Sequence, residues 1–101
     1  MEIKEKKQSD RIVLELSGRI DATNSSQLQN AILLAFQKMK TIELDFGNIV
    51  YIASAGLRAL MIGQKTANAK GGQMVLKHVG DMVMEVFEMT GFTDILEIEE
   101  P

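Results

Sequence analysis

The sequence predicts a single layered α/β domain: a mixed sheet of four or five strands with three or four helices packed on it. Three observations carry this. Segments alternating with a period of two take turns along the chain with segments whose apolar residues recur at three- and four-residue steps. Short connections link them, as in a domain built from a sheet layer and a helix layer. The 101 residues fit one domain and one core, and no repeat, linker or low-complexity stretch divides them.

Glu2 to Gln8 reads as a charged edge strand, and Ser9-Asp10 as a turn. Arg11 to Ser17 sets Ile12, Leu14 and Leu16 against Val13, Glu15 and Ser17, the pattern of a half-buried strand antiparallel to the first. Gly18 is expected to break it. Ala22 to Ser26 is rich in helix-capping types, and a helix follows from about Ser25 to Lys40 with Leu28, Ala31, Ile32, Ala35, Phe36 and Met39 on one face. Thr41 to Phe46 reads as a strand buried on both faces. Gly47-Asn48 is a turn or bulge, and Ile49 to Ile52 either continues the strand or forms a connector.

A second helix is predicted after Ser54, running to about Ala69, with Leu57, Leu60, Met61, Gln64 and Ala67 inward and Gly71-Gly72 ending it. Gln73 to Lys77 is a strand. Asp81 is the expected cap of a third helix, Met82 to Thr90, with Met82, Val83, Val86 and Phe87 inward. Gly91 ends that helix, and Ile95 to Ile98 makes a final short strand.

The net charge of −3 speaks against a nucleic-acid or anionic-membrane surface. With no cysteine there are neither disulfides nor thiolate metal sites. No stretch approaches the ~20 apolar residues of a membrane span. The charged start, Glu2 to Lys7, lacks the apolar run of a signal peptide. The expectation is a cytoplasmic monomer without a cofactor or metal.

Leu44 to Leu57 is the stretch that carries chemistry. It begins as a strand and ends as the entry to a helix, with the small residues Ala53, Ala55 and Gly56 around one hydroxyl, Ser54. Small residues leave room for a partner, and the start of a helix favours an anion. The plainer alternative is an N-cap serine, worth about 1 kcal/mol of helix stability. Other motifs are weaker. Gly71-Gly72-Gln73 reads as a helix stop, and Lys70-Gly71 lacks the remainder of a P-loop. Asp21 and Asp45, near strand ends, could converge, but turn capping is the better reading. His78 is the only histidine and no G-x-S-x-G elbow is present, so a hydrolase using Ser54 ranks below a binding module.

Leu44-Asp45-Phe46-Gly47-Asn48-Ile49-Val50-Tyr51-Ile52-Ala53-Ser54-Ala55-Gly56-Leu57 resembles the signature of bacterial anti-sigma factor antagonists, the STAS domain family. Leu16 to Asp21 is similar to the family's second strand and turn, Gly71 to Leu76 to its G-G strand, and Val86 to Phe92 to its last helix ending. The resemblance implies a binding module, itself not an enzyme, that is phosphorylated on Ser54. The partner it implies is an anti-sigma factor with serine kinase activity, which supplies ATP and Mg²⁺, and a phosphatase resets the cycle. The unphosphorylated form would bind the anti-sigma factor and free the sigma factor. Asp21, Ala22, Thr23 and Asn24, with Ala53, Ser54, Ala55, Gly56, Leu57 and Arg58, would form the docking face. Ala53 stands where the family has aspartate, and Ala55 where it has a second hydroxyl. The alternative is a STAS scaffold, never phosphorylated, in a larger regulatory or transport assembly.

Overall fold

Six charged or polar-flanked residues of β1 (Glu2–Lys7) pair antiparallel with β2 (Ile12–Ile20), in register from Glu2 opposite Ser17 to Lys7 opposite Ile12. The Gln8 N–H donates to the Arg11 carbonyl at 2.8 Å and closes the turn between them. The structure, a computed structural model, describes residues 1–99. After β2 come α1 (Ser25–Lys38), β3 (Thr41–Ile52), α2 (Ser54–Lys70), β4 (Gln73–Lys77), α3 (Asp81–Thr90), a 3₁₀ turn (Phe92–Asp94) and β5 (Glu97–Ile98). Of the predicted four or five strands and three or four helices, the described residues form a five-stranded mixed sheet with three α-helices. Its spatial order, β1-β2-β3-β4-β5, is the order of the chain.

From β2 onward neighbouring strands are parallel. Parallel crossovers are right-handed, so steps taken in one direction put α1 and α2 on the same face. There Leu28, Ile32 and Phe36 of α1 and Leu57 and Leu60 of α2 bury against Ile12, Leu14, Leu44 and Phe46 of the sheet. Gly63 takes an inward place on α2 that the sequence reading gave to Met61 and Gln64. A Cβ there would come within 2.8 Å of Met74 Sδ and 3.0 Å of Ile32 Cγ2.

β3 is not buried on both faces. Ile42, Leu44 and Phe46 are sealed under the helices, while Thr41, Glu43 and Asp45 on the other face are half-covered. That face carries a charge ladder: Glu43 lies 3.3 Å from Arg11 and 3.0 Å from Lys77, and Lys77 reaches Glu99 at 3.5 Å. The long stems of Arg11 and Lys77 allow these charges to sit over apolar neighbours such as Val13 and Val75 while their heads stay wet.

Gly18 does not end β2. It adopts φ 101°, a left-handed conformation that suits glycine, and the strand runs on through a register shift to Ile20. β3 likewise passes through Gly47-Asn48 as one strand. α1 stops at Lys38, and the last strand is only Glu97–Ile98. Asp81 is the first residue of α3 and not its cap, which is Gly80, and Met82 is 74% exposed instead of inward. No described helix is long and apolar enough to cross a membrane. Among the described residues no cluster of three or more His, Asp or Glu could hold a metal.

Candidate functional site

The Ala53 N–H donates to the Ile20 carbonyl at 2.8 Å, one step beyond the last paired residues, Ile20 and Ile52. This bond ties the ends of β2 and β3 together. The two connections that leave them, Asp21 to Asn24 and Ala53 into α2, therefore emerge side by side, and the predicted site residues of both are brought together.

Ala53 occupies the N-cap position of α2 (φ −99°, ψ 172°), and Ser54 is the first helical residue, exposed to solvent. Ser54 is thus not the N-cap. The Ala53 carbonyl accepts from Gly56 N–H at 2.9 Å and from Leu57 N–H at 3.2 Å. The N–H groups of Ser54 and Ala55 precede any carbonyl the helix could offer them. With the positive end of the helix dipole they make this corner favourable for negative charge.

Gly56 and Leu57 face inward. A Cβ on Gly56 would stand 2.6 Å from Ile20 Cγ2 and 2.8 Å from Ile52 Cγ1, so glycine lets the helix start lie directly on the two strand ends. Leu57 is only 7% exposed. What the stretch shows to solvent is Ser54 and, one turn later on the same flank, Arg58.

The other connection is held by its own side chains. Asn24 Oδ1 accepts from Asp21 N–H at 2.9 Å, and Asn24 Nδ2 donates to the Arg19 carbonyl at 2.8 Å. The Asp21 carboxylate accepts from the Thr23 hydroxyl and from the Thr23 N–H at 3.0 Å. Those two bonds, with the positive charge of Arg19, hold the Asp21 carboxyl below its usual range. Ala22 and Thr23 are left exposed at the tip. Asn24 spends its amide on β2 instead of capping α1.

Sequence reasoning missed one member of this corner. The Arg19 guanidinium sits 4.3 Å from the centre of the Tyr51 ring, a cation–π contact between β2 and β3. The signal was Gly18, whose bulge re-aims the residue that follows it.

No histidine–carboxylate pair serves Ser54. His78 Nδ1 instead lies 3.0 Å from Asp45 Oδ1. Asp45 is opposite Glu15 in the sheet, whereas Ala53 bonds at the far end of the same strand, roughly 25 Å away at ~3.3 Å per residue. For the same reason Asp21 and Asp45 do not converge. At Asp45 partial burial raises the carboxyl pKa, but the Gly47 N–H at 2.9 Å and His78 outweigh it and leave the group below its usual range.

Residues 3–97 match the family model described as "Mlab, STAS domain". The BtrV protein of Bordetella bronchiseptica, whose name places it with the anti-sigma factor antagonists, is 33% identical over 84 residues, covering 82% of this chain and 72% of BtrV. The anti-sigma-B factor antagonist of Listeria monocytogenes is 28% identical over 100 residues, covering 98% and 87%. The Bacillus cell fate determinant SpoIIAA, solved in its phosphorylated form, superposes with a TM-score of 0.75 at 20% identity, over 98% of this chain and 92% of that one. Sheet order, helix placement and the match over nearly the whole chain agree, and the chain belongs to the STAS domain family.

Proposed function

We propose that this chain is an anti-sigma factor antagonist whose partner affinity is switched by phosphorylation of Ser54. The observation that carries the reading is the position of Ser54: exposed at the first residue of α2, beside the Asp21–Asn24 loop, over unpaired backbone N–H groups. The curated relatives above are named anti-sigma factor antagonists, and SpoIIAA, also named an anti-sigma factor antagonist, was solved phosphorylated. The partner is an anti-sigma factor with serine kinase activity. It transfers the terminal phosphoryl group of ATP to Ser54 Oγ, releasing ADP and the hydroxyl proton. A phosphatase returns the serine. The chain itself is a binding module that works as a monomer in the cytoplasm. Ala22, Thr23, Ser54, Ala55 and Arg58 form the contact surface. Asp21, Asn24, Ala53, Gly56 and Leu57 fix its shape from behind.

Phosphorylation adds about −1.5 to −2 charges at pH 7. Two effects compete. The open end of α2 accommodates the group, worth about 0.3–1 kcal/mol near the surface. Against a closely packed partner the same charge and its hydration cost several kcal/mol unless paired. The interface term is larger, so the domain stays folded while partner affinity falls at least tenfold, about 1.4 kcal/mol. Ser54→Ala is expected to bind the anti-sigma factor and resist modification, and Ser54→Asp to bind poorly. Equal binding of Ser54→Asp and the native chain, by titration calorimetry, would sink the proposal.

Ala53 favours one second reading. It removes the acid that neighbours the phosphoacceptor in the family pattern, which suits a scaffold docked constitutively in a regulatory or transport assembly. Intact-mass measurement after incubation with the kinase partner and ATP separates the two: a single phosphate on the native chain and none on Ser54→Ala supports the switch.

A further inference from the structure

Charge is spread unevenly along this chain. All 11 Lys and Arg lie before residue 81, and every charged side chain from Asp81 onward is acidic. The acidic part includes α3, whose outer surface is also apolar. Met82 is 74% and Met89 79% exposed, with half-buried Val86 between them. The spacing i, i+4, i+7 puts these three in one row along the helix. Asp81, Glu85 and Glu88, all exposed, repeat that spacing one residue earlier and form a parallel acidic row.

The apolar row borders an opening in the fold. β4 pairs with β3 only from Thr41 to Asp45, so among the described residues the rest of β3 has no strand on that side. Val50 and Tyr51, 63% and 42% exposed, face α3 across a cavity of about 140 Å³ that Met82, Val83 and Val86 complete. A second cavity of about 260 Å³ continues it past Gly80. The result is a groove with an apolar floor and one acidic wall, and with Arg19 over Tyr51 at the other rim.

Charge selects the occupant. A second copy placed face to face would set acidic row against acidic row. An anionic lipid surface would be repelled by the same wall. A helix with an apolar row beside a Lys/Arg row satisfies floor and wall together. We propose that the groove between α3 and the end of β3 seats a basic amphipathic helix of a partner protein. Its apolar row packs on Met82, Val86 and Tyr51, and its basic row lies along Asp81, Glu85 and Glu88. This surface neither includes Ser54 nor depends on its modification.

The probe is a synthetic helical peptide with leucines at i, i+4 and i+7 and a lysine beside each. It is titrated into the isotopically labelled full chain and followed by NMR. Saturable shifts at Val50, Tyr51, Met82 and Met89 are expected, weakening as salt rises. The charge-reversed pair Glu85→Lys and Glu88→Lys, and separately Met82→Ser with Met89→Ser, should each lose at least tenfold in affinity. All four positions are exposed, so circular dichroism should show native folds. A peptide carrying glutamates in place of the lysines should not bind. The proposal is overturned by any of four results: no saturable shift at millimolar peptide, shifts confined elsewhere, undiminished affinity after charge reversal, or sedimentation showing that the groove instead pairs two copies of the chain.

Discussion

At Gly56 one hydrogen in place of a methyl group sets how the corner at Ser54 is built. Alanine raises helix propensity by about 1 kcal/mol. Its Cβ would also have to fit within 3 Å of both Ile20 and Ile52, and overpacking of this kind costs about 1–3 kcal/mol. The expected net effect of Gly56→Ala is a loss of roughly 1 kcal/mol, read as a lower urea midpoint. A gain would show that the helix start is not clamped to the strand ends. The same residue marks a limit of sequence reading. Its smallness, beside Ala53 and Ala55, was legible and suggested room for a partner. Its neighbours Ile20 and Ile52 come from strand ends that only the folded sheet brings together. Ser54 was legible as the hydroxyl at a helix start. Its place as first residue instead of N-cap was not, because the Ala53–Ile20 bond decides where the strand stops.

Among the elements, α2 behaved as its periodicity suggested where burial is complete. Leu60 is fully buried, and Leu60→Ala should cost about 2–5 kcal/mol. A loss under half a kcal/mol would assign the wrong face. α3 departed from its pattern. Met82 sits in a helix-period apolar set, yet β4 is too short to extend the sheet beneath it, and strand lengths are poorly marked in local sequence. The contrast can be measured: Val83→Ala, at a buried position, should lose about 2 kcal/mol, whereas Met82→Ala should stay within about half a kcal/mol. β3 was legible as two apolar pieces. Its continuity through Gly47-Asn48 was not, because the bulge is defined by pairing with β2, a partner distant in the chain.

For the whole molecule, titration sets the stability window. Asp10, Asp21 and Asp45 all have depressed pKa values in the folded state, from the Arg11 hydrogen bond, the Thr23 bonds, and the Gly47 and His78 contacts that overcome burial. A depressed carboxyl contributes stability that is present above its unfolded pKa, about 3.9, and is lost as pH falls through the folded value. The urea midpoint should therefore drop on acidification below about pH 4, and the drop should be smaller in Asp45→Asn. At the alkaline end the sign reverses. The hydrogen bond from Lys77 to Glu43 raises the Lys77 pKa, so that contribution is lost only as pH climbs through the raised value.

The order β1-β2-β3-β4-β5 also bears on how quickly the molecule can assemble. In many α/β sheets a late strand must be inserted between two earlier ones, and its site stays open until then. Here each strand joins one that precedes it directly in the chain, so pairing advances outward from a single edge. Each parallel pairing, such as Ile12 with Ile42 or Thr41 with Gln73, spans a single crossover and no earlier strand. A ribosome delivering about 5–20 residues per second presents every new strand to a neighbour already in place. The corner at Ser54 is complete once α2 has emerged, before the acidic α3 segment has been made.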